Sequence, residues 1–183
     1  MKKTKNGFKE EIVIPNSVTC EMHDKRIVCK KGSETSERDT HIQDTKISVK
    51  DNKIIIECAK PNKKKVAAIR SFMAHIANSF NGLDKKFVYE MEICNVHFPM
   101  TVKVEGDKII ISNFLGEKEK RIANIIHGTH VEVKGQKIIV SSSEIEKAGQ
   151  TAANIEQVTK ISKRDRRVFQ DGIFITSKCG VPI

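Results

Sequence analysis

The sequence predicts an α+β fold made twice, as two duplicated domains, 1–82 and 83–183, each an antiparallel β-sheet packed on one α-helix. Three observations carry that expectation. Apolar residues alternate with polar ones on either side of short turns containing Asp or Gly, the pattern of β-hairpins. These hairpins recur in the same order at nearly constant spacing. Each set is followed by a run with apolar residues at three- and four-residue steps, the period of an amphipathic helix.

The first hairpin reads Val18-Thr19-Cys20-Glu21-Met22-His23-Asp24-Lys25-Arg26-Ile27-Val28-Cys29, and its counterpart reads Met100-Thr101-Val102-Lys103-Val104-Glu105-Gly106-Asp107-Lys108-Ile109-Ile110-Ile111. Ile27 and Ile109 are thus 82 residues apart. Both hairpins follow strands ending at a proline, Ile12-Val13-Ile14-Pro15 and the stretch from Val88 to Phe98-Pro99, where a residue with no N–H to give a ladder is tolerated. The second hairpins, around Val49-Lys50-Asp51-Asn52-Lys53-Ile54 and Val133-Lys134-Gly135-Gln136-Lys137-Ile138, are offset by 84 residues. In the first half Val66, Ile69, Met73, Ile76 and Phe80 mark a helix, and Asn81-Gly82 reads as its left-handed stop. In the second half the helical pattern runs from Ala152 to Ile161, and a further strand, Gly172-Ile173-Phe174-Ile175-Thr176, follows it.

A chain of 183 residues with 38% hydrophobic content is long enough to bury two small cores. Its 33 lysines and arginines against 23 acids, a net charge of +10, point to a polyanionic partner such as nucleic acid. No run approaches the roughly 20 apolar residues of a membrane span, and the basic start leads into Phe8-Lys9-Glu10-Glu11 rather than the apolar core of a secretory signal. A cytosolic or nuclear protein with no membrane partner is expected. Five cysteines in no pairing pattern fit free thiols in a reducing compartment. Cys20 and His23 form a C-x-x-H, but residues three apart on a strand point to opposite faces, so no metal and no cofactor are expected.

The charge is not spread evenly. Residues 100–159 hold eight cations and eight acids, so the whole +4 excess of the second half lies in residues 160–178. That stretch includes Lys160, Lys163, Arg164, Arg166, Arg167 and Lys178, with three of the chain's seven arginines. Arginine forks match phosphate and base edges, whereas a helix end needs only one or two cations to complement its dipole. These six are the candidate nucleic-acid contacts. Lys118, Lys120 and Arg121, in an alternating-charge loop, and the loop Lys60-Pro61-Asn62-Lys63-Lys64-Lys65 are secondary candidates.

Asn113-Phe114-Leu115-Gly116-Glu117-Lys118 together with Arg167-Val168-Phe169-Gln170-Asp171-Gly172-Ile173-Phe174-Ile175 resembles the family of the sixth large-subunit ribosomal protein, called the ninth in eukaryotic naming, in its eukaryotic and archaeal form. Ile69-Arg70-Ser71, His75-Ile76, Phe87-Val88-Tyr89-Glu90-Met91 and Val96-His97-Phe98-Pro99 are similar to that family's central segment. The resemblance implies a duplicated fold and a structural role in the large ribosomal subunit. It implies binding to large-subunit rRNA near the sarcin-ricin loop, with neighbouring ribosomal proteins alongside and translational GTPases close by. The cytoplasmic ribosome is the implied location, after an assembly phase in the nucleus or nucleolus. The resemblance places the family's basic motif on Lys160, Lys163, Arg167 and Lys178, with Asp171 and Gly172 setting a structural turn where the backbone bends, and Phe174 stands where the family usually has tyrosine.

Other function classes find less support. Asp165 and Asp171 are six apart with no second carboxylate cluster, so a metal-dependent nuclease is not favoured, and Ile111 stands where a P-loop ending in Gly116-Glu117-Lys118 would need glycine, so that segment is no P-loop. No small-molecule substrate is expected. A free-standing RNA-binding module or chaperone would need a GXXG loop or aromatic stacking motif, and the chain has one tyrosine and no tryptophan.

Overall fold

The computed structural model describes every residue except Met1, Lys2, Lys5, Asn6, Asp24, Lys25, Ser33, His41, Gln43, Asp51 and Arg166, and the backbone alone of Lys3 and Thr4. The chain divides into two compact units, Met1–Lys85 and Lys86–Ile183. Both are α+β, with antiparallel sheets and one helix each.

In the first unit β1 (Lys3–Thr4), β2 (Gly7–Val13), β6 (Thr45–Lys50) and β7 (Lys53–Cys58) make a sheet in the order β1-β2-β7-β6. A second sheet has the order β3-β4-β5, formed by β3 (Thr19–His23), β4 (Arg26–Lys31) and β5 (Glu34–Asp39). The helix α1 (Lys63–Asp84) closes the unit.

The second unit repeats this plan. Its five-stranded sheet, in the order β12-β13-β8-β14-β15, uses β8 (Phe87–Cys94), β12 (His130–Lys134), β13 (Lys137–Ser142), β14 (Gly172–Lys178) and β15 (Val181–Pro182). Its small sheet, β11-β10-β9, uses β9 (Thr101–Glu105), β10 (Lys108–Ser112) and β11 (Arg121–Asn124), and its helix is α2 (Ile145–Val158). The order β6-β7-β2 thus recurs as β12-β13-β8, and β3-β4-β5 recurs as β9-β10-β11. Gly106 and Gly135 take φ of +58° and +62° in the second unit's hairpin turns, a region costly for side chains with a Cβ.

Each domain therefore has two sheets rather than the one expected. Alternation tells which face of a strand is buried but not which strands pair, and the two hairpins of each unit join different sheets. The sheets meet through β3 and β6 in the first unit and through β9 and β12 in the second. Ile27, Ile54 and Ile56 are fully buried in one core, and Ile109, Ile138 and Val140 occupy the matching places in the other.

The helices differ from expectation at their ends. α1 runs through Asn81-Gly82 to Asp84, with Gly82 buried inside it, and ends where the Lys85 N–H donates to the Asn81 carbonyl at 2.8 Å. Its start is set by Asn62, whose side chain accepts from the Lys65 N–H at 2.7 Å, so Lys63, Lys64 and Lys65 are its first turn rather than a loop. α2 begins seven residues before the expected Ala152 and stops at Val158 instead of reaching Ile161. Its buried face is Ala148, Thr151, Ala152 and Ile155, whose small members leave no strong apolar period at its beginning. Small size there lets the strands come close: a Cβ on Gly149 would lie 3.0 Å from the Tyr89 hydroxyl.

Candidate nucleic-acid interface

The connection from α2 to β14, residues 159–171, carries the concentrated cations and is fastened at both ends. At its start the buried Thr159 hydroxyl donates to the Glu156 carbonyl at 3.1 Å and accepts from the Ile173 N–H at 3.0 Å. Glu156 also accepts from the Ile175 N–H at 3.4 Å. The C-terminus of α2 is thereby stitched to β14.

At the far end lies Asp171, which is 1% exposed. Its carboxylate accepts from the Val96 N–H at 2.8 Å, the His97 N–H at 3.0 Å and the His97 ring Nδ1 at 2.6 Å. Burial by itself pushes this carboxyl up, but those hydrogen bonds together hold it below the usual carboxylate range. Asp171 is thus a latch on the segment after β8, and Gly172 opens β14 opposite Cys94 rather than making a turn. The glycine's lack of a side chain leaves room for the Phe174 ring on the same face. A Cβ there would fall 2.8 Å from the Phe174 ring.

The latch supports a stack. The His97 ring lies on Phe169 with centroids 5.1 Å apart and planes 23° from parallel, and the Arg164 guanidinium sits 4.8 Å from the Phe169 centroid on a cation–π contact. Asp165 shapes the turn between them, its side chain accepting from the Arg167 N–H at 2.9 Å and its carbonyl from the Phe169 N–H at 2.9 Å. Lys163 takes a left-handed φ of 60° just before it. Lys160, Lys163, Arg164 and Arg167 are all exposed, and Arg166 lies outside the described residues.

The secondary cations divide into two kinds. Arg121 is committed to the fold: Nε and Nη2 grip Glu117 at 2.8 and 2.6 Å, Nη1 donates to the Val158 carbonyl at 2.7 Å, and the guanidinium lies 4.3 Å from the Phe114 centroid. The hydrogen bond from Arg121 keeps Glu117 below the ordinary carboxylate range, with the charge of Arg164 adding to it. That bridge draws the loop bearing the exposed Lys118 and Lys120 to the end of α2, beside the main basic stretch. Lys178 is placed apart, at the opposite end of β14 from Gly172, about 20 Å along the strand.

Next to the stack a groove of about 980 Å³ opens, with Lys160, Glu156, Cys94, Phe169 and Phe174 among its walls. Val96, Phe98 and Val168 are exposed in the segments the latch and turn hold. His97 and Phe169 were not candidates on residue type. Their part follows from a contact spanning 74 residues between Asp171 and His97, which no local pattern encodes. Among the described residues no group of three or more His, Cys, Asp or Glu is placed to hold a metal. His23 meets Glu21 at 3.3 Å, while Cys20 faces Cys29. Among the described residues no helix is long and apolar enough to cross a membrane.

Two copies of one α+β unit, the second with a fastened cationic connection, define a duplicated basic α+β protein. The family model for ribosomal protein L6 matches residues 98–172, all within the second unit and including the stack's Phe169 and Arg164 and the latch carboxylate of Asp171. The large ribosomal subunit protein uL6 of Methanococcus vannielii is 41% identical over 173 residues, covering 94% of this chain and 95% of that relative. The chain belongs to the ribosomal protein L6 family, in its archaeal and eukaryotic form, a family of structural rather than catalytic proteins.

Proposed function

We propose that this protein is a structural constituent of the large ribosomal subunit that binds rRNA through the α2–β14 connection. The observation that carries the reading is the Asp171 latch, which holds His97 against Phe169 and so presents Arg164 from a rigid base. A guanidinium fixed in this way loses less conformational freedom on meeting a phosphate than a free chain does. Lys160, Lys163, Arg164, Arg166 and Arg167 form the main contact, with Lys118 and Lys120 flanking it. Arg121 acts by positioning that flank, and Lys178 makes a separate contact. The relative named as a large-subunit protein supports assembly beside other ribosomal proteins and work in the cytoplasmic ribosome, after an assembly phase in the nucleolus where the cell has one.

The rRNA site we assign is near the sarcin-ricin loop, beside the surface visited by translational GTPases. The two units act as separate domains, divided along the chain between Lys85 and Lys86 rather than after Gly82, with the second as the anchor. The test is binding to an rRNA fragment containing that loop and its neighbouring helices, titrated with salt, against an unrelated duplex of equal length. Preferential binding with a steep salt slope is expected. Equal affinity for both RNAs would leave a general RNA chaperone as the better reading, and Mg²⁺-dependent cleavage of the fragment would favour a nuclease.

A further inference from the structure

Away from the cationic connection, the first unit carries a pair of thiols that rRNA binding does not use. Cys20 on β3 and Cys29 on β4 are direct partners in the antiparallel ladder, and their sulfurs are 2.6 Å apart. On its other side Cys29 faces Ser36 of β5, and the Ser36 hydroxyl is already bonded to Ser79 of α1 at 3.1 Å. Cys29 is buried and Cys20 half-buried, so Cys20 is the more accessible of the pair.

Directly opposed residues on antiparallel strands have Cα atoms about 4.5 or 5.5 Å apart, within the roughly 4.4 to 6.8 Å that a disulfide spans. The bond therefore needs no movement of the strands. The sulfurs need only close to about 2.05 Å.

We propose that Cys20 and Cys29 are a reversible redox site, forming a cross-strand disulfide by exchange with a small-molecule disulfide of the glutathione type. The Cys20 thiolate attacks one sulfur of the oxidant, making a mixed disulfide and releasing one small thiolate, which takes up a proton. Cys29, giving up its proton, then attacks the Cys20 sulfur and releases the second small thiol. Two protein thiols are oxidised and one small disulfide is reduced to two thiols, so electrons and protons balance. The hydrogen bond shared by the sulfurs lowers the Cys20 pKa, and it raises that of Cys29, which burial raises further. This polarity suits Cys20 as the attacking group and Cys29 as the resolving one. The inference is independent of the rRNA-binding surface.

The full-length protein, folded and without denaturant, is equilibrated in a series of oxidised and reduced glutathione ratios. Free thiols are then counted and peptides mapped by mass spectrometry. The count should fall from five to three in one concerted step, with a Cys20–Cys29 linked peptide that dithiothreitol reverses. Cys179→Ser, at an exposed position, should retain the two-thiol loss, and Cys29→Ser should abolish it. If Cys29→Ser does not fold, Cys20→Ser at the half-buried position decides, and it too should lose the step. A stable glutathione adduct on Cys20 with Cys29 still free, or a two-thiol loss that persists in Cys20→Ser, would overturn the assignment.

Discussion

The two units share one strand order yet differ in how the helix is joined to the next strand. In the first, α1 ends at Asp84 and β8 starts at Phe87, so the chain crosses in two residues. In the second, α2 ends at Val158 and β14 starts at Gly172, leaving thirteen residues between them. The place beside the central strand is filled from opposite ends of the chain, by β1 next to β2 and by β14 next to β8. Duplication supplies two frames, and the long return to β14 gives the second a fastened, cation-bearing segment that the first lacks.

The comparison is broken most directly at that segment. Replacing Arg164, Arg166 and Arg167 by alanine should lower affinity for the rRNA fragment by about 3 kcal/mol, roughly a hundred-fold, and flatten the dependence of log affinity on log salt by about two units or more. Filter binding across a salt series reads both. If the cations only complement the end of α2, the variant will instead melt earlier and bind with an unchanged slope.

Asp171 comes next, because it ties the second unit's cationic connection to the segment after β8. Asp171→Ala leaves two backbone N–H groups and a ring nitrogen without their acceptor, and should cost about 2 to 3 kcal/mol by chemical denaturation. The folded-state pKa of Asp171 is depressed, so its contribution is complete above the unfolded carboxyl value, about pH 4, and is lost as pH falls through the folded value. The difference in stability between wild type and Asp171→Asn should therefore shrink on acidification below about pH 4. A difference that stays constant with pH would contradict the latch.

The helix faces give a third comparison. α1 buries Ile69, Phe72, Ile76 and Phe80 with Met73 half-buried beside them, whereas α2 buries Ala148, Thr151, Ala152 and Ile155. Ala152 is fully buried beneath a close-set sheet. Ala152→Leu should destabilise by about 1 to 3 kcal/mol through overpacking, while Met73→Leu should cost under about 1.5 kcal/mol. Denaturation with transitions assigned by hydrogen exchange separates the units. An Ala152→Leu cost no larger than that of Met73→Leu would mean that α2 has room to spare against its sheet.

Much of this is legible in the sequence, for reasons that differ by residue. The hairpins around Ile27 and Ile109 and around Ile54 and Ile138 declare themselves because alternation is local and was copied in order. The split of each unit into two sheets is a long-range pairing, and period alone does not contain it. The true start of α2 is hidden because alanine and threonine bury against a sheet without registering as an apolar stripe. The concentration of cations in 160–167 can be counted directly. That Asp171 is a buried latch and Arg121 a bridge to Val158 cannot, since each depends on a partner 37 to 75 residues away.

The smallest expected effect lies in the first unit, where Lys63 and Lys64 begin α1. Cations at a helix N-terminus oppose its dipole, and of the three lysines in this first turn Lys65 is held by Asp44 at 2.6 Å while Lys63 and Lys64 are exposed. Their placement runs against local stability. Lys63→Ala with Lys64→Ala should raise the stability of the first unit by about 0.3 to 1 kcal/mol for each change. If the first unit also touches rRNA, the same variant should bind more weakly and lose about 0.7 to 0.9 of salt slope, one phosphate contact. Opposite signs in stability and binding would assign the first unit a minor share of the interface. A gain in stability with unchanged rRNA binding would leave the whole contact to the second unit and sharpen the contrast between them.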